Sequence, residues 1–285
     1  MSVKAVLDYF HKGHQIEQGH LVELLQAEDP ECQELLRKEA DQVRREHVGD
    51  VVYFRGIIEF SNYCPRSCQY CGISRLNRKV KRYRIPPQVI LDTAFWGARA
   101  GCGTMVLQSG EDHYYSVGLI ADIIREIKKM GVAVTLSLGE RQESDYRTWR
   151  EAGADRYLLK LETSDPDLYA RLHPGSSLAD RLQALNILKA LGYQVGSGFI
   201  WGLPGQSLEM IADDLLVLRS LEVDMAGTGP FIPHPGTPLA NHPPGDVGLS
   251  LRALAVTRLI LPQANLPATT ALASLDHDGR RLGLT

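Results

Sequence analysis

Apolar, β-branched runs alternate with amphipathic helical stretches from residue 52 to residue 272, and no other feature restricts the fold as strongly. Seven runs read as strands: VYFRGIIEF (52–60), TMVLQS (104–109), VAVTLSL (132–138), RYLLKLE (156–162), QVGSGFIW (194–201), DMAGTGPFI (224–232) and LPATTAL (266–272). Helical patterns such as GLIADIIREIKKM and SLEMIADDLLVLRSL lie between them. Strands that are apolar almost throughout must be covered on both faces, which is the habit of parallel sheets with crossover helices. This many units predicts an α/β fold of the (β/α) barrel type. Residues 1–50 read as an N-terminal helical segment and 51–285 as the barrel. The count stops at seven strands: after Leu272 the segment SLDHDGRRLGLT has room for a hairpin or short helix, so the expectation is a barrel lacking its eighth strand.

The second constraint is chemical. Three of the five cysteines fall within CPRSCQYC (64–71), directly after the first strand. An odd, clustered set argues against a secreted disulfide framework and for metal or redox chemistry in a reducing cytoplasm. Structural zinc needs four closed ligands. Cys32 and Cys102 stand alone and offer no second CxxC half, and no histidine lies between His47 and His113. Three thiolates can instead hold three irons of a cubane [4Fe–4S] cluster, leaving the fourth iron open to a small molecule. Another cluster type, a zinc site or chance spacing are the alternatives. In a barrel the chemistry sits where strands end. Polar residues collect there: Gln108-Ser109-Gly110-Glu111-Asp112 after strand two, Glu162-Thr163 after strand four, the Gly229–Pro235 exit of strand six, and Thr269 and Thr270 on strand seven.

Cys-x3-Cys-x2-Cys with an aromatic residue before the last cysteine resembles the signature of the radical S-adenosylmethionine (SAM) superfamily. Longer blocks (IIEFSNYC, YCG, KRYR, VLQSGEDHYY, EIKKMGVAVTLSLGE, EAGADRYLL, GLPGQ, GPFIPHPGTPLAN and LPATTA) resemble the HydE family, the radical SAM maturases of [FeFe]-hydrogenase. Biotin synthase and methylornithine synthase are similar more loosely. The resemblance implies a radical SAM barrel, a [4Fe–4S] cluster held by Cys64, Cys68 and Cys71, and SAM chelated at the open iron and cleaved to methionine and a 5′-deoxyadenosyl radical. It implies cofactor contacts from Tyr70, Gln108, Ser109, Gly110, Glu111, Glu162, Arg181 and Ile232, with Gly72 letting the loop pass close. Gly202–Gly205 and Phe231-Ile232-Pro233 would line the adenosine side. Arg55, Lys160, Thr269 and Thr270 would serve the substrate, an iron-bound cysteine complex carrying CO and cyanide. Implied partners are that organometallic substrate, a low-potential electron donor and other hydrogenase maturases.

Two departures from the family pattern stand out. Lys160-Leu161-Glu162-Thr163 replaces the family's Arg-His-Glu-Thr, which points to a HydE-like enzyme with another small substrate, of the methylornithine synthase or biotin synthase type, as an alternative. The missing C-terminal extension offers a second alternative, a protein that binds cluster and SAM without turnover.

The charge balance of 31 basic and 34 acidic residues, net −3, gives no global attraction to nucleic acid or to a membrane surface. No apolar run is long enough to span a bilayer. Cys32 and Cys102 read as small packing residues, and His113 as a surface or packing residue, with facing the cofactor as the alternative. SRLNRKVKRYR (74–84), with six basic residues and no acidic one, reads as a solvated loop, the alternative being that it covers the cluster or docks an acidic electron donor.

Overall fold

The computed structural model describes residues 1–283. Eight strands occur among them: β1 (Arg55–Ser61), β2 (Thr104–Ser109), β3 (Ala133–Ser137), β4 (Arg156–Leu158), β5 (Gln194–Ser197), β6 (Ile200–Trp201), β7 (Met225–Ala226) and β8 (Gly229–Pro230). Six form one parallel sheet in the order β1-β2-β3-β4-β5-β7, and β6 pairs with β8 in a second, two-stranded sheet. The order follows the chain, as right-handed crossover units require. Every strand exit therefore lies at one rim. The sheet is open between β1 and β7, and Ile57, on an edge strand, is 61% exposed.

The expected strands 194–201 and 224–232 are each divided in two, by Gly198-Phe199 and by Gly227-Thr228. A Cβ on Gly198 would lie 2.1 Å from the Gly227 carbonyl oxygen, so the two chains approach more closely than side chains permit and the regular ladder breaks there. The expected seventh strand is a correction. Within 265–272 only an isolated bridge, Met225 to Asn265, pairs with the sheet. The chain then enters the helix Thr270–Leu275, whose N-cap Thr269 accepts from the Leu272 amide. Pro267 cannot donate to a ladder, and TALASL is rich in good helix formers with a threonine cap before it.

Two cores hold these elements. The helix Val117–Lys128 is capped by Ser116 and buries Ile120, Ile123, Ile124 and Ile127, an i, i+3, i+4, i+7 stripe. That stripe packs with Val134, Leu136, Trp149 and Tyr157 around the first half of the sheet. Truncating such a residue to alanine costs about 2–5 kcal/mol. The N-terminal helices Val3–His11, Gln18–Leu25 and Pro30–His47 bury Val6, Leu21, Leu24 and Leu36 against Trp201, Leu215 and Val256. They cover the outer face of the second half.

Candidate active site

CPRSCQYC leaves β1 at the rim and is tied down before any cofactor is considered. Its irregular backbone presents carbonyl groups that need donors. Arg82 supplies them: its guanidinium donates to the carbonyls of Asn62, Ile73 (2.7 Å), Ser74 (2.7 Å) and Asn77 (3.4 Å), clamping both ends of the loop. At the entry, Ser61 Oγ donates to Asp112 Oδ2 (2.6 Å), and Arg84 holds the same carboxylate with two bonds while lying over the Tyr63 ring. At the exit, the Ser74 amide donates to the Cys71 carbonyl (2.9 Å) and the Arg75 amide to the Arg66 carbonyl (2.9 Å). Gly72 does let chains pass closely: a Cβ there would meet the His234 ring at 2.7 Å.

All five cysteines are free. Burial pushes the Cys68 thiol up to about 12, with Cys71 and Cys64 adding to the effect. Burial raises Cys71 as well, against backbone N–H groups of Ile73 and Ser74 that lower it. The three sulfurs therefore lie within electrostatic reach of one another in a low-dielectric pocket. Thiolates form there only with cations to stabilise them, so metal uptake would release protons. Among the described residues no three Cys, His, Asp or Glu side chains converge on a single metal ion. This is unlike a structural zinc site and compatible with thiolates that each take a separate iron.

Beside the loop runs a chain of charges drawn from four strand exits. Arg66, inside CPRSC, bonds Glu111 Oε2 (2.5 Å), Glu140 Oε2 (3.0 Å) and Ser176 Oγ (3.1 Å). Arg181 bonds Glu140 Oε1 (2.5 Å) and the Lys160 carbonyl. Its guanidinium, expected from the resemblance to contact the cofactor, is engaged by the protein. Glu111 likewise accepts from the Glu140 amide (3.0 Å). Lys160 Nζ lies 2.8 Å from Glu162 Oε2.

Glu162 itself has φ 69°, a left-handed conformation that a non-glycine residue holds only when its neighbours enforce it. Its amide donates to Gly198, and its carbonyl accepts from Ile200. Asp214 grips the following Ser164 through the amide and Oγ (2.7 Å). Burial raises Asp214 to about 7, against the Ser164 bonds that lower it. Tyr70 OH and His173 Nε2 share a hydrogen bond (3.0 Å), and the His173 ring lies tilted by 30° against Tyr169 with centroids 4.3 Å apart. Burial lowers His173 to about 4 and keeps it neutral.

The pocket contains buried polar atoms with bonding capacity to spare. Tyr169 OH has no hydrogen-bond partner among the described residues, Glu162 Oε2 is buried with the Lys160 ammonium as its close partner, and each senses Cys68 electrostatically. Orphaned polar groups cost about 1–3 kcal/mol each when nothing fills the gap. A ligand bearing an ammonium and hydroxyl groups beside three thiolates fits this donor and acceptor set.

Cys64, Cys68, Cys71, Tyr70, Glu111, Glu162 and Arg181 thus share one neighbourhood, and Gln108, Ser109 and Gly110 join it at the end of β2. Ile232 follows β8, partly buried. Arg55 is elsewhere. It opens β1, six residues from the rim, and its Nη1 lies 3.9 Å from Met225 Sδ at the start of β7. Thr269 Oγ1 lies 3.1 Å from where a Gly229 Cβ would be. Arg66, Arg82, Glu140, Tyr169 and His173 were not singled out from the sequence. Arg66 lies within the cysteine motif, Arg82 in the quoted KRYR block, and Glu140 just past a strand end, so motif membership and the strand-exit rule were the available signals for those three. Cys32 and Cys102 are partly buried away from the site, and His113 is an exposed partner of Arg141.

Residues 58–218 match the family model of the radical SAM superfamily. The chain is 52% identical over 264 residues to the [FeFe] hydrogenase maturase subunit HydE of Thermotoga maritima, covering 93% of this chain and 76% of that protein. It is 30% identical to 3-methylornithine synthase of Methanosarcina acetivorans, over 95% and 78% of the two chains. The crystal structure of methylornithine synthase (PylB) superposes with a TM-score of 0.89 at 29% identity, covering 98% of this chain and 82% of that one. The chain belongs to the radical SAM superfamily, as a HydE-type member.

Proposed function

We propose that this chain is an active radical SAM enzyme of [FeFe]-hydrogenase maturation, working on a small iron-bound cysteine complex. The observation that carries the reading is the group of three free thiols on one clamped loop, beside the buried Glu162 carboxylate and the unpartnered Tyr169 hydroxyl. Identity of 52% to HydE supports the choice of pathway. Cys64, Cys68 and Cys71 would hold three irons of a [4Fe–4S] cluster, with SAM at the fourth. When bound, these cofactors supply a one-electron reductive cleavage that yields methionine and a 5′-deoxyadenosyl radical.

The chain's own residues would bind and orient. Gln108, Ser109 and Glu162 would receive the ammonium of SAM, Tyr70 and Ile232 would flank the cofactors, and Arg66 and Arg181 would hold Glu111 and Glu140 in place. Arg181 would act through those bonds more than by its own fork. Lys160, Thr269 and Thr270 would meet the substrate, with Arg55 at the far end of β1. Five unpaired cysteines fit a reducing, cytoplasmic setting, and among the described residues no helix is long and apolar enough to cross a membrane. A second reading, the same chemistry on another small substrate, is favoured by Leu161, which is fully buried where the family carries a polar histidine.

The test is anaerobic reconstitution with iron and sulfide, followed by dithionite and SAM, with 5′-deoxyadenosine measured by chromatography. Product that is lost in Cys71→Ala supports the reading, and a cluster with bound SAM but no product refutes turnover. Stimulation by an iron–cysteine complex separates the two substrate readings.

A further inference from the structure

The segment after the cysteine loop carries an arrangement that SAM binding does not use. Arg75, Arg78, Lys79 and Lys81 are all exposed, and among the described residues none of the four forms a salt bridge with an acidic partner. The two other cations of the segment are differently employed: Arg82 clamps the loop's carbonyls and Arg84 is paired with Asp112. Glu59 of β1 is near enough to influence Tyr83, and four cations outnumber it. Between the charges lie apolar surfaces, with Tyr63 37%, Leu76 42%, Tyr83 39% and Tyr114 67% exposed.

This basic rim around an apolar patch belongs to a chain whose net charge is −3. The chain as a whole offers an acidic macromolecule no attraction, whereas this local cluster of cations does. The segment is also fastened to the cysteine loop. The Arg75 amide bonds the Arg66 carbonyl between Cys64 and Cys68, the Ser74 amide bonds the Cys71 carbonyl, and Asn77 Nδ2 bonds the Gly72 carbonyl (2.8 Å). Whatever docks on it rests one hydrogen bond from the backbone that carries the three thiols.

We infer that residues 75–84, with Tyr63 and Tyr114, form the docking surface for a small acidic protein that carries one electron to the cluster. The inference rests on the function proposed above. The step is an electron transfer: the carrier loses one electron, the cluster gains it, and no bond is made or broken. A small patch of exposed charge and aromatic surface suits a fast, weak encounter, as electron-transfer complexes bury less than about 1,200 Å². Complementary charge acts mainly on the association rate, by about 10- to 1,000-fold, and loses effect with salt.

The experiment uses the reconstituted protein, chemically reduced flavodoxin as the probe, and stopped-flow detection of cluster reduction at low and high salt. The variant Arg78→Glu/Lys79→Glu/Lys81→Glu lowers the bimolecular rate by at least about 10-fold, and the wild-type rate falls steeply with added salt. Iron content and dithionite-driven 5′-deoxyadenosine formation stay at wild-type levels, because none of the three side chains touches a cysteine. The milder Arg78→Gln/Lys79→Gln/Lys81→Gln variant gives an intermediate rate, which guards against a folding defect in the charge reversal. Equal rates in variant and wild type, or no dependence on salt, overturn the inference. Failure of both flavodoxin and an acidic ferredoxin where dithionite succeeds overturns it too, as does equally tight binding of an RNA oligonucleotide to the same residues. Absence of product with dithionite instead overturns the proposed function.

Discussion

Gly110 is where the cysteine loop meets the end of β2, and its substitution isolates what that contact does. A Cβ built on Gly110 would lie 2.2 Å from the Tyr63 carbonyl oxygen and 2.7 Å from Cys64 Cβ. Ordinary contacts between such atoms lie near 3.5 Å, so Gly110→Ala demands a separation of about 1 Å. Neither neighbour is the free end of a side chain. The Tyr63 oxygen is backbone, and Cys64 Cβ is one bond from it. The amide of Gly110 also donates to the Ser61 carbonyl at 3.1 Å, a bond that the displacement stretches.

Overpacking of this kind costs about 1–3 kcal/mol, which lowers Tm by roughly 2–12 °C at about 2–4 °C per kcal/mol. The functional loss is larger than the thermal one. Metal sites tolerate ligand errors of only about 0.2 Å, so moving Cys64 by several times that amount removes one anchor of the cluster. The assay pairs a melting curve of the metal-free protein with iron content and cluster absorbance after reconstitution. Gly118→Ala is the control, since Gly118 lies in a helix with no atom near its would-be Cβ, and alanine there is stabilising by about 0.5 kcal/mol or more. A Gly110→Ala protein with wild-type Tm and full iron uptake would refute the steric argument.

Arg82→Lys keeps the charge but loses the fork that reaches Asn62, Ile73 and Ser74 together; hydrogen exchange across 62–77 should accelerate at least 10-fold, and unchanged protection would contradict the clamp. Two buried groups should respond to pH with opposite signs. His173 has a folded pKa of about 4, below its unfolded value near 6.5, so the unfolded chain binds more protons in between and stability falls as pH drops from 6.5 to 4. Asp214 is raised from 3.8 to about 7, so the folded chain binds more protons there and stability falls as pH rises through that window. Urea melts from pH 4 to 8 should therefore show His173→Gln removing the acid-side loss and Asp214→Asn giving its largest gain at pH 8; profiles parallel to wild type would count against both assignments. Glu162→Gln preserves shape but not charge, and it should weaken SAM binding by about 10-fold or more with little change in Tm, as read by equilibrium dialysis.

Much of this architecture is legible in the residue pattern. TMVLQS appears as the strand Thr104–Ser109 within its expected bounds, because an unbroken apolar run fits a doubly covered strand and little else. The position of CPRSCQYC after β1 followed from the same alternation, which places strand exits together. The last expected strand differs for a local reason: LPATTAL has β-branched residues, but its threonine cap and Ala-Leu stretch serve a helix equally well, and only the neighbouring chain decides.

The sequence alone settled the period of the long helices and of the first strands, the order of the units and the presence of three soft ligands at one strand exit. Those depend on side-chain type at short spacing. Which charges meet was settled in three dimensions. Arg66 bonds Glu111 and Glu140, 45 and 74 residues away, and Glu140 bonds Arg181, 41 residues further on. These partners come from three loops and one helix, and no local pattern specifies their pairing. The sheet brings their strand ends to one rim, where burial removes water as the alternative partner and makes each unsatisfied charge costly.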